Sequence, residues 1–124
     1  VILVGVSRSG KTPTCLYMAL QHGIFPANYP LTGDELDGRQ LPRAVRPFQN
    51  KLFGLSIEPE RLAEIRRERR PDSVYCSPQQ VDFEVRAAEA IFRRNGIKYV
   101  DTTRSSIEEI ASTILSELHI GRMA

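Results

Sequence analysis

The chain opens on Val1-Ile2-Leu3-Val4, an unbroken apolar run closed by Gly5. A run that short, rich in β-branched residues, predicts a central parallel strand covered on both faces. A small polar stretch follows over 5–10, and then a helix over 11–22. Pro13 falls in the first turn of that helix, where a missing N–H is harmless, and Gly23 supplies the stop. Cys15, Leu16, Met18, Ala19 and Leu20 are the residues expected to lie on a sheet. Residues 26–30 predict a weak, short strand. Residues 31–50 carry Gly33, Gly38, Pro42 and Pro47 as breakers and read as an irregular loop. A loop of that length predicts a lid or a partner surface.

Residues 51–57 predict a strand in which Gly54 marks a close backbone approach. Pro59 opens a helix carrying Leu62 and Ile65, and Pro71 closes it. Ser77, Pro78 and Gln80 have the pattern of a helix start, followed by an apolar stripe at Val81, Val85, Ala88 and Phe92. Asn95-Gly96 ends that helix. Residues 97–100 form a strand closed by Asp101. Ser105 and Glu108 predict a capping box for a last helix, with Ile107, Ile110, Ala111, Ile114, Leu115 and Leu118 on one face. This alternation predicts a P-loop kinase-like α/β fold in three layers. Its mostly parallel sheet has about four or five strands, with helices on both faces.

Length makes this one domain over residues 1–124, since 124 residues and 14.0 kDa are too few for two ordinary ones. Val1 is not an initiator Met and already sits in a core-type strand, so a preceding N-terminal portion is expected to be missing. No apolar run approaches the ~18 residues of a membrane span, and no leader pattern is present. Cys15 and Cys76 match neither a disulfide scaffold nor a metal signature, so the cytoplasm is the expectation. A formal net charge of +2 is too mild to argue for nucleic acid.

Within that frame, Gly5-Val6-Ser7-Arg8-Ser9-Gly10-Lys11-Thr12 matches the phosphate-loop pattern G-x-x-x-x-G-K-[ST] between a strand and a helix. Gly5 and Gly10 permit close backbone approach, successive N–H groups form an anion nest, and the helix adds its positive end. Lys11 is the expected contact to the terminal phosphates, and Thr12 offers its hydroxyl to Mg²⁺. Arg8, inside the loop, is expected to offset transferred charge. The acid that completes the metal site is less evident. Asp101 ends a neighbouring strand and is the candidate, the alternative being a turn cap. Asp34, Glu35 and Asp37 read as solvated loop acids.

Arg61, Arg66, Arg67, Arg69 and Arg70 alternate with glutamates, the pattern of a solvated helix face. Arg66, Arg69 and Arg70 are the alternative: cations closing on a nucleotide. His22 and His119 suit helix C-termini. Cys15 reads as core and Cys76 as a thiol before a helix cap. Tyr29, Phe48 and Phe53 read as packing.

Residues 5–14, Ala27-Asn28-Tyr29-Pro30-Leu31, Lys51-Leu52-Phe53-Gly54-Leu55 and Glu58-Pro59-Glu60-Arg61-Leu62 resemble the bacterial phosphoenolpyruvate synthase regulatory proteins. Asp101-Thr102-Thr103 and residues 106–111 continue the likeness. The resemblance implies a bifunctional enzyme that phosphorylates a threonine of the synthase with ADP as donor. It also implies removal of that phosphate by inorganic phosphate, releasing pyrophosphate. Residues 5–12 would hold the nucleotide, with Lys11 on the transferring group and Thr12 on Mg²⁺. The chain would be the C-terminal, nucleotide-binding half of a longer protein. Its partners would be the synthase and a nucleotide, with neither nucleic acid nor membrane, and a homo-oligomer is compatible with it. Residues 31–50 and the arginine helix are the expected docking surfaces. Two other readings stay open from the residues alone: a P-loop kinase of a small metabolite, and a nucleotide-sensing module whose chemistry lies in the absent portion.

Overall fold

The computed structural model describes residues 1–118. Its sheet has four parallel strands, β1 (Ile2–Gly5), β2 (Ala27–Pro30), β3 (Leu52–Ser56) and β4 (Tyr99–Asp101), in the spatial order β2-β1-β3-β4. The pleat of β1 and β3 splits the core. Leu3, Phe53 and Leu55 face α1 (Lys11–His22) and α5 (Ile107–Glu117), meeting Met18, Ile110 and Ile114. Val4 and Leu52 point the other way, to α3 (Pro59–Arg69) and α4 (Pro78–Arg94), and join Leu62, Val85, Ile91 and Phe92. The three-layer α/β fold with helices on both faces is therefore present. Among the described residues, no helix is long and apolar enough to cross a membrane.

Strand order positions the site. From β1 the chain turns back through α1 to β2 on one side, while β3 lies on the other. The ends of β1 and β3 thus lead to helices on opposite faces of the sheet, which opens a crevice between their carboxyl ends. Gly54 in β3 serves the predicted close approach. A Cβ there would lie 2.7 Å from the Phe92 ring and 2.8 Å from Cβ of Tyr99.

Three expectations are corrected. First, residues 31–50 are not an irregular lid. They form α2 (Gly33–Gly38) and a 3-10 helix (Arg43–Lys51), and Leu31, Leu36, Leu41 and Val45 are buried in the α3–α4 side of the core. Four anchored apolar residues outweigh the breakers, so the segment is packed structure. Phe48 within it is half-exposed. Second, Leu16 and Leu20 do not lie on the sheet; they are 60% and 73% exposed. Met18 alone of that group is fully buried; it shares the buried face of α1 with Lys11 and Thr14, whereas Leu16 and Leu20, two residues either side of it, fall on the opposite face. Third, the capping box of α5 is one residue later, between Ser106 and Glu109. The Ser106 hydroxyl accepts from the Glu109 N–H, and Glu109 accepts from the Ser106 N–H. Those bonds hold the Glu109 carboxyl below its usual range. His119 lies outside the described residues.

Candidate functional site

The turn after β1 is shaped by backbone before side chains enter. Arg8 (φ 72°) and Gly10 (φ 100°) both take left-handed angles, which reverse the chain and turn N–H groups inward. A Cβ on Gly5 would sit 2.7 Å from the Leu55 carbonyl oxygen and from the Ser9 hydroxyl, so position 5 must be glycine. The Ser9 hydroxyl donates to the Val6 carbonyl at 2.9 Å and tightens the bend. Gly10 is the N-cap of α1 and offers no side chain, so nothing of its own covers the first N–H groups of this twelve-residue helix. Their partial positive charge faces the crevice.

Lys11 begins α1 and is 6% exposed. Its Nζ donates to the Val6 carbonyl at 2.6 Å, so the ammonium lies across the loop that it follows. Among the described residues it makes no ion pair. Burial, and after it the nearby Arg66 guanidinium, lower its pKa to about 8, with Cys15 opposing them. Thr12 is exposed, and its hydroxyl accepts from Asn28 Nδ2 at 3.1 Å. Ser7, Arg8, Lys11, Thr12, Asn28 and Pro30 help to line a cavity of about 330 Å³ in front of the loop.

Behind the loop lies a second cation that sequence reasoning placed on the wrong side of the question. Arg66 is neither solvated nor closing on a ligand; it is fully buried. One guanidinium nitrogen donates to Ser7 O at 3.1 Å and to Glu84 Oε1 at 2.8 Å, and another donates to Tyr75 O at 3.0 Å. The guanidinium lies 4.2 Å over the Tyr75 ring. Gln80 donates to the second Glu84 oxygen, and the Tyr75 hydroxyl pairs with that of Ser7. Leu62, Ala63 and Arg66 share the buried face of α3, so the helical period at 62 and 66 was the available clue.

Asp101 is not brought to the cavity in front of the loop. It is exposed, and its Oδ1 accepts from both the N–H and the hydroxyl of Thr103, forming a local turn. That turn sets Thr102, whose hydroxyl lies 3.1 Å from Ser9 O and 2.9 Å from Ser56 O and so bridges β3 and the loop. Ser56, at the end of the strand beside β1, donates to Glu89 Oε2. Asp34 and Asp37 are exposed, and Glu35 accepts from Thr32. Among the described residues no three His, Cys, Asp or Glu side chains gather as a metal site. Cys76 is buried against backbone carbonyls at the end of α3, and burial pushes the Cys15 thiol up. His22 sits edge-on to Tyr17.

The profile of the kinase/pyrophosphorylase family matches residues 1–115. A provisionally named phosphoenolpyruvate synthase regulatory protein of Burkholderia cenocepacia (strain HI2424) is 56% identical over 124 residues, 100% of this chain and 46% of that protein. A protein with the same provisional name from Laribacter hongkongensis (strain HLHK9) is 59% identical over 122 residues, covering 98% of this chain and 44% of that protein. The chain thus spans slightly less than half the length of these relatives. With most of its length matched, including the loop, the crevice and both buried cations, this chain belongs to the kinase/pyrophosphorylase family.

Proposed function

We propose that this chain is the nucleotide-binding part of a regulatory phosphotransferase acting on phosphoenolpyruvate synthase. In this reading it supports ADP-dependent phosphorylation of a threonine of the synthase, and phosphate-dependent removal of that group as pyrophosphate. The supporting observation is Lys11: a buried ammonium without a carboxylate partner among the described residues, at the mouth of a glycine-bounded loop and a helix N-terminus. A polyanion is the partner that such an arrangement lacks. The names of the relatives supply the protein substrate.

In the forward step the threonine oxygen attacks the β-phosphorus of ADP. The bond from that phosphorus to the bridging oxygen breaks, AMP leaves, and the hydroxyl proton passes to solvent. In the return step an oxygen of inorganic phosphate attacks the phosphothreonine phosphorus. Pyrophosphate forms, and the released threonine oxygen takes a proton. Both steps move one phosphoryl group between two oxygens, so positioning and charge neutralisation dominate. Residues 5–12 would bind the phosphate chain through N–H groups, and Lys11 would leave the Val6 carbonyl for the transferring group. Arg8 would offset charge from the solvent side. Asp101 would act at one remove, by setting Thr102 against the loop.

For Mg²⁺ the chain offers the Thr12 hydroxyl, open to the cavity and already oriented by Asn28. It offers no nearby carboxylate among the described residues. Phosphate oxygens and water would therefore make up most of the coordination, as this ion commonly accepts. When bound, the ion would neutralise phosphate charge.

The test incubates the whole natural chain with β-labelled ADP and purified synthase. Label on a synthase threonine, released as labelled pyrophosphate by inorganic phosphate, is the expected result. Label on a small molecule, or ADP binding without transfer, would refute the reading.

A further inference from the structure

A second cavity, of about 390 Å³, lies on the other flank of the loop, lined by Ser7, Arg8, Arg69, Arg70 and Tyr75. Three of its five lining residues are arginines, and none of the five is acidic. Arg69 and Arg70 end α3, where helix polarity favours cations. Polarity accounts for basic residues at that end, but not for their lining one cavity together with a third arginine. Neither makes an ion pair among the described residues, although glutamates precede them on the same helix. Tyr75 forms the floor. Its ring carries Arg66 on one approach and Arg70 at 5.9 Å on another, and its hydroxyl meets that of Ser7. The floor is thus fixed by the same buried brace that fixes the loop. Gathered like charges disfavour the free protein and favour a dianion between them.

Ser7 and Arg8 line both this cavity and the one holding Lys11 and Thr12. The two cavities are therefore neighbours across one residue pair, and Arg8 can reach an anion in either. We propose that the Arg8–Arg69–Arg70–Tyr75 cavity is a second anion site. It takes a phosphate monoester or inorganic phosphate, separate from the diphosphate of the nucleotide. Its purpose, the phosphate-bearing co-reactant of the return step, rests on the phosphotransferase reading above. Its existence as a binding site does not.

The test uses the whole natural chain and an Arg69→Gln/Arg70→Gln variant. Calorimetry measures inorganic phosphate, a phosphothreonine peptide and ADP separately. Loss of two charge-assisted contacts should raise the Kd of phosphate or of the phosphopeptide by about tenfold or more. The Kd of ADP should stay within about twofold, because the arginines do not line the front cavity. Which of the two probes responds identifies the source of the anion. An Arg69→Lys/Arg70→Lys variant keeps the charge and should retain part of the affinity. Equal loss of ADP and phosphate would overturn the proposal by merging the two cavities. So would unchanged affinity for both phosphate probes, or failure of the wild type to bind either. Arginine-dependent phosphate binding in a chain that ignores ADP would leave this site standing and end the phosphotransferase reading.

Discussion

Lys11 and Arg66 are two buried cations on opposite sides of one loop, and they are provided for differently. Arg66 has a carboxylate, two carbonyls and an aromatic face. Lys11 has one carbonyl among the described residues, and its burial away from water disfavours its charged form. A cation paired with a carboxylate and two carbonyls is structural, although Arg66 Nε has no partner among the described residues. A cation buried with one weak partner is held ready for something else. The loop is therefore rigid at its back and incomplete at its front.

The largest expected effect comes from breaking the back. Arg66→Met leaves Glu84 facing the loop without its cation and frees the Ser7 carbonyl. Urea denaturation should show a loss of about 3 kcal/mol. Removing the front cation should do the reverse. Lys11→Met deletes a desolvated charge that no acid among the described residues balances, so stability should change by less than about 1 kcal/mol. ADP affinity should fall by about 2 kcal/mol in calorimetry. If both variants lost stability equally, the distinction between brace and binder would collapse.

Acidity sharpens the same contrast. Lys11 titrates at about 8 in the fold against 10.5 unfolded. Between those values the unfolded chain holds the extra proton, so the Lys11 contribution to stability rises with pH across that window. ADP affinity should move the opposite way, declining above about pH 8 as the ammonium is lost. The Lys11→Met variant, which lacks the titrating ammonium, should show neither trend.

Away from the loop, Gly54→Ala should cost about 1–3 kcal/mol by forcing Phe92 and Tyr99 apart, without changing ADP affinity at saturation. The smallest effect is at α5. Ser106→Ala should cost about 1 kcal/mol, and Ser105→Ala almost nothing. The Glu109 carboxyl is held low in the fold, so the box is intact above the unfolded pKa of that group and is lost as pH falls through the folded one.

The front of the loop was legible in the sequence because its constraints are local. A strand, two glycines at fixed spacing, a lysine and a helix start are all contiguous. Gly54 was legible as a close approach, though its partners Phe92 and Tyr99 were not. The back was illegible because it joins Ser7, Arg66, Tyr75 and Glu84, which only tertiary folding unites. The charge pattern around Arg66 is that of a solvated helix, and its place on the buried stripe with Leu62 had to outweigh that pattern. Residues 31–50 failed for a related reason. Their turn residues are strong punctuation, yet Thr32 and Glu35 have the spacing of a helix start, and Leu36, Leu41 and Val45 find a core that the local sequence does not display. Asp101 illustrates the limit of strand-end logic. It does end a strand, but that strand pairs with β3, one place removed from the loop.

The central claim is that Lys11 is kept for a phosphate chain. Nitrogen-15 NMR of the Lys11 ammonium, titrated with pH in the absence and presence of saturating ADP, tests it at the atom concerned. The account predicts a free value near 8 that rises by more than about one unit when the diphosphate is bound. A value that stays near 8 with ADP bound would show that the anion sits elsewhere, and would contradict the account.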